Sequence, residues 1–172
     1  MSSEQIYLNE IEELKKNLSV ERFHHTVSVG ETCVRLCDYF GVHCPEIYLT
    51  GILHDFAREK DLKELVELSL EKDFPQYPEE YNDIPVLLHA PAAVYFAIRK
   101  FKPLPESCRR AIIYHPCGDP ELNEVSLILL IADLIEPLRN FKRNRDLYER
   151  VFSCTDLYEA AEVILRQKIM SS

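Results

Sequence analysis

Apolar residues recur every three or four positions along almost the whole chain, and that period admits helices while leaving little room for alternating strands. Tyr7, Ile11, Leu14 and Leu18 form one such stripe, and Phe23, Val27, Gly30, Val34 and Cys37 form the next. Ser19 stands between them as an N-cap. Gly41 closes the second helix, and Pro45 opens a third that carries Ile47 to Leu53 straight into His54 and Asp55. A fourth helix is expected near Asp61 to Glu71, and others over about 85–101, 105–114, 121–135 and 156–169. With only four glycines in 172 residues, the chain reads as an all-α bundle of about seven or eight helices. One core suffices at this length, so 1–172 is read as a single domain, with a motif core over 22–139 and a C-terminal helical segment over 140–172.

Two segments depart from simple amphipathic helix. KDFPQYPEEYNDIP, residues 72–85, is rich in proline and polar residues and is expected to cross the surface as a loop, in a position to act as a lid. LILLIAD, residues 127–133, is apolar on every side, so its helix is expected at the centre of the bundle. A carboxylate at the end of that run, Asp133, has to be paired, hydrogen-bonded or bound to a metal. A salt bridge to Arg139 and ligation of a cation are both open at this point.

The net charge of −9 at neutral pH separates this chain from nucleic-acid binders, which concentrate basic residues against the phosphate backbone. A small phosphorylated ligand stays compatible, because a divalent metal and two or three arginines reverse the field inside one cleft. The six cysteines, at 33, 37, 44, 108, 117 and 154, include no CxxC pair or other common structural-zinc spacing, so free thiols are expected. The opening MSSEQIYLNEIEELKK lacks an apolar signal core, and no apolar run approaches the roughly 20 residues that span a bilayer. The expected setting is a reducing cytoplasm, without a membrane or a nucleic-acid polymer as partner.

Chemistry concentrates in a few places. His54 and Asp55 are adjacent at a helix end, where imidazole and carboxylate can reach one ion. About thirty residues upstream stands RxxH, Arg22 to His25, and far downstream a helical Asp133. The segments RFHHTVSV, LTGILHDFAR, LLHAPAA, AIIYHPCG and IADLIEPLR together resemble the HD-domain superfamily, and within it the YqeK-type symmetrical diadenosine tetraphosphatases. The likeness spans residues 22–139.

The resemblance implies an HD-domain helical bundle in which His25, His54, Asp55 and Asp133 bind one metal, while His89 and His115 join a bridging Asp55 at a second. It suggests iron. The donor types by themselves suit iron, manganese, nickel or zinc. The implied reaction is hydrolysis of a dinucleoside tetraphosphate to two nucleoside diphosphates by a metal-bound hydroxide, with His54 and Asp55 central to catalysis. The alternatives are another HD phosphohydrolase acting on nucleotides or phosphate esters, or a nucleotide-binding regulator with little turnover. Arg139 is assigned to catalysis and to substrate phosphates, and Arg58 to substrate, since guanidinium offers a fixed fork of donors to paired oxygens. Arg58 departs from the lysine common in the wider superfamily, and Pro116 with Cys117 replaces the two hydroxyl residues usual before the glycine. His24 and His43 fall outside the pattern and are read as ordinary histidines. The partner expected is a small nucleotide, with a homodimer left open.

Overall fold

The computed structural model describes residues 6–138 and 141–170, with no account of the side chains of 141–144 and 170. Among these residues the structure is helical, with no strand. The α-helices are α1 (Leu8–Asn17), α2 (Val20–Phe40), α3 (Ile47–Leu53), α4 (Leu62–Ser69), α5 (His89–Lys100), α6 (Glu106–Tyr114), α7 (Glu124–Ile135), α8 (Phe141–Val151) and α9 (Leu157–Met170). Nine is one or two more than the sequence suggested. The helix not anticipated as separate is α8, FKRNRDLYERV, which is polar on average. Among its described side chains Leu147 and Val151 are buried in the core, with Tyr148 partly buried against it.

Local signals place the helix ends. The Ser19 hydroxyl accepts from the Arg22 amide as the N-cap of α2, satisfying one donor of the first turn. Gly41 ends that helix at φ 70°, a left-handed conformation that glycine enters without a Cβ clash. The proline-rich stretch is more ordered than a plain loop. It contains two short 3-10 helices, Glu79–Asn82 and Pro85–Leu88, and buried Tyr81 donates from its hydroxyl to the Ile113 carbonyl at 2.8 Å. The segment is therefore pinned to the end of α6.

Helix α7 is the centre of the bundle, with Leu127 to Ala132 all buried, and α2, α3, α6 and α9 pack around it. The α2 stripe is rotated from the one expected. Val29, Cys33 and Leu36 are fully covered, while Phe23 and Val34 are half-buried against the core. Helices α2 and α3 make the most extensive pairing, because Gly30 and Gly51 face each other. A Cβ on Gly51 would lie 2.5 Å from the Gly30 Cα. Omitting both side chains lets the two backbones touch, and this close approach carries the His25 segment up against the His54 and Asp55 segment.

Candidate active site

Five segments deliver side chains to one buried point. His25 comes from the second turn of α2, His54 and Asp55 from the turn that ends α3, His89 from the first residue of α5, His115 from the cap of α6, and Asp133 from α7. His54 is fully buried and His25, Asp55, His89 and His115 are buried, while Asp133 is partly exposed. The six residues nominated as metal ligands are thus brought together.

Asp55 divides the cluster. Its Oδ2 lies 3.8 Å from His25 Nε2 and 3.5 Å from His54 Nε2. Its Oδ1 lies 3.3 Å from His89 Nε2 and 3.6 Å from His115 Nε2. Asp133 Oδ1 completes the first side, 3.1 Å from His25 Nε2 and 3.7 Å from His54 Nε2. One carboxylate therefore faces two separate donor sets, as a bridge requires.

The outward nitrogens fix the inward ones. Nδ1 of His54, His89 and His115 lies 2.7, 2.6 and 2.7 Å from the carbonyls of Gly51, Val86 and Ile112. A carbonyl only accepts, so each Nδ1 carries a proton, and in the neutral form of each ring the acceptor nitrogen is the inward Nε2. His89 and His115 then point lone pairs at each other across 3.3 Å, and the buried Nε2 atom of His54 has no hydrogen-bond partner. Facing lone pairs and an orphaned acceptor are costly without a cation and are satisfied by one. Three-residue groups within reach of one ion include His25–His54–Asp55 and Asp55–His89–His115, so the donors present fit divalent metal.

Two further residues support the cluster. Arg22 donates to Asp55 Oδ2 at 2.7 Å. Glu136, itself 1% exposed, lies with Oε1 3.0 Å from His25 Nδ1, and its Oε2 accepts from the Leu138 amide at 2.7 Å. Sequence reading passed over Glu136, although its place three residues after Asp133 is one helical turn onward and was a usable signal. Carboxylates behind ligand histidines typically matter 10- to 100-fold for metal affinity. Glu136→Gln is expected to weaken metal binding by roughly that factor with little change in melting temperature. A competition titration showing less than about a twofold change would make Glu136 a packing residue only.

In the metal-free protein His25 is displaced toward protonation. Burial lowers its pKa, but the Asp133 and Glu136 carboxylates raise it to about 9, against an ordinary 6.5. A folded pKa above the unfolded one stabilises the fold fully below 6.5, and that contribution is lost as pH rises through about 9. Metal-free protein should therefore lose melting temperature across this interval, and His25→Asn should flatten the slope. A metal-free profile that climbs between these pH values contradicts the assignment.

The remaining expectations sort as follows. His24 and His43 are exposed and stand outside the cluster, although His24 lines a cleft of about 300 Å³ that also touches Arg22, His25, Glu59 and Glu136. Arg58 is half-buried, and its amide donates to the Asp55 carbonyl at 2.9 Å; among the described residues the guanidinium on the Asp55 carboxylate is that of Arg22. Arg139 lies outside the described residues. Cys117 is exposed and Pro116 half-buried, in a turn that Gly118 closes at φ 92°. That turn is held by Asp119, which takes two bonds from Arg110 at 2.7 and 2.6 Å and one from the Ser126 hydroxyl at 2.8 Å. All six cysteines are free, and no described helix is long and apolar enough to cross a membrane.

A crystal structure from Clostridium acetobutylicum, described as a predicted HD superfamily hydrolase involved in NAD metabolism, has a similar fold. Its TM-score is 0.79 at 27% identity, over 90% of this chain and 80% of the other. Fold and site together define an HD-superfamily hydrolase. No protein-family model matches the chain, but curated relatives do. Proteins of Halalkalibacterium halodurans and Bacillus subtilis, both named symmetrical bis(5′-nucleosyl)-tetraphosphatase, are 34% and 30% identical over 128 residues, covering 74% of this chain and 67% and 68% of theirs. A Staphylococcus aureus protein of the same name is 24% identical over 160 residues, covering 91% of this chain and 79% of its own. The chain belongs to the symmetrical bis(5′-nucleosyl)-tetraphosphatase family.

Proposed function

We propose that this protein, acting as one domain, hydrolyses diadenosine tetraphosphate at its central anhydride to give two molecules of ADP, with iron as the first candidate metal and manganese, nickel or zinc as the others. The observation that carries the reading is the split of Asp55, one oxygen toward His25 and His54 and the other toward His89 and His115. His25, His54, Asp55 and Asp133 would hold one ion, and Asp55, His89 and His115 a second. When bound, a divalent metal supplies Lewis acidity, which brings the pKa of water toward neutrality and neutralises phosphoryl oxygens.

The protein's own groups prepare the rest. The backbone carbonyls behind His54, His89 and His115 lock the tautomer and aim each Nε2, so no imidazole has to reorient when charge develops. Arg22 holds Asp55 in register from the solvent side. Arg139 and Arg58 are assigned to the substrate phosphates, where two guanidinium forks would offset the charge of a tetraphosphate in a chain of net −9.

The test is product analysis with iron- or manganese-loaded protein and a panel of dinucleoside polyphosphates and nucleoside monophosphates. Diadenosine tetraphosphate should give ADP alone. AMP with ATP in equal amounts would place attack at an outer phosphorus and sink the symmetrical reading. Turnover of the monophosphates alone would move the protein to another HD phosphohydrolase class.

A further inference from the structure

Helices α3 and α6 each carry chemistry at both ends. Their C-terminal ends present His54, Asp55 and His115, while Glu46 caps the start of α3 and Cys108 lies in the first turn of α6. Eight residues separate Glu46 from His54 and seven separate Cys108 from His115, or about 10–12 Å of helix at about 1.5 Å per residue. At this far end Cys44 and Cys108 bring their sulfurs to 3.7 Å. A Glu46 carboxylate oxygen joins them, with all three donor atoms within 4.8 Å of one another.

That spacing suits a shared ion. Two thiolates on a tetrahedral zinc, each at about 2.3 Å, stand about 3.8 Å apart, so the observed separation needs no rearrangement. Cys44 and Glu46 are half-buried, while Cys108 is buried, which leaves a path from solvent and a position for water.

We propose that Cys44, Cys108 and Glu46 form a second cation site, separate from the histidine cluster, for a thiophilic divalent ion of the zinc type. Binding exchanges the two thiol protons for the ion, and both protons pass to solvent. The ion ties together the ends of α3 and α6 remote from the histidines, and so braces the two helices that position His54, Asp55 and His115. The site was invisible in sequence because its ligands are 64 residues apart.

Cobalt is the probe, since a thiolate ligand gives a near-ultraviolet charge-transfer band that histidine and carboxylate ligands do not. Metal-stripped, reduced full-length protein should develop this band at one thiolate-bound cobalt per chain, and added zinc should bleach it. Cys44→Ser and Cys108→Ser should each lose the band, while Cys117→Ser, next to the histidine cluster, should keep it. Melting curves run alongside, and half-buried Cys44 carries the test if Cys108→Ser does not fold. No band in the wild type, a band that survives both serine variants, or a band lost in Cys117→Ser would each overturn the site.

Discussion

Asp55→Ala should purify with little metal and lose about a hundred- to a thousandfold in hydrolysis, the scale on which groups that stabilise developing charge directly act. The expectation follows from its two oxygens. On the proposed assignment, removing the carboxylate would strip the first side of a ligand and the second side of its acid, leaving His89 and His115 facing each other across 3.3 Å. Asp133→Ala should also lose metal, but from the first side only, so some ion can remain on Asp55, His89 and His115. Elemental analysis separates these outcomes. His24→Ala and His43→Ala serve as controls and should keep full metal content. Retention of both ions by Asp55→Ala would show that it does not bridge, and loss of metal from His24→Ala would put the site in the wrong place.

Gly51→Ala should cost roughly 2–3 kcal/mol, the upper part of the range for forcing an atom into a packed core, or about 5–10 °C of melting temperature at this size. Alanine is the better helix former by about 1 kcal/mol, so propensity alone predicts a gain. Packing decides otherwise. The new Cβ would stand 2.5 Å from Gly30 Cα and 2.9 Å from Gly30 N, and backbone cannot step aside as a side chain does. Gly30→Ala should be milder, because its nearest obstacle, at 2.8 Å, is the Ile52 Cγ2 atom. Gly51→Ala should also weaken metal binding, since separating α2 from α3 moves His25 away from His54. An unchanged melting temperature would show that the helix pair has slack the structure does not suggest.

The comparison of α8 with α7 shows how far sequence reading reached. Helix α7 was legible because Leu127 to Ala132 is apolar all round, and only a central position buries such a surface. Helix α8 was not, because its sequence is polar on average, and Leu147 and Val151, the buried ones among its described side chains, are too few to stand out in the pattern. In α2 the period was correct and the phase was not. Threonines, serine and glycine fill part of its buried face, and a reading that follows large apolar residues is drawn toward half-buried Phe23 and Val34.

The sequence by itself determined the helical class and the central α7, because helix period is local and survives without knowledge of what packs where, and its resemblance to a known family nominated the six side chains that could ligate metal. Only the tertiary structure decided the division of Asp55 between two pairs of histidines, the support of His25 by Glu136 across 111 residues, the Gly30–Gly51 contact and the meeting of Cys44 with Cys108. These are relations between segments distant in the chain. Their distances are set by how closely helices approach, and a linear pattern holds no record of that until side-chain volume, or its absence at two glycines, fixes the packing.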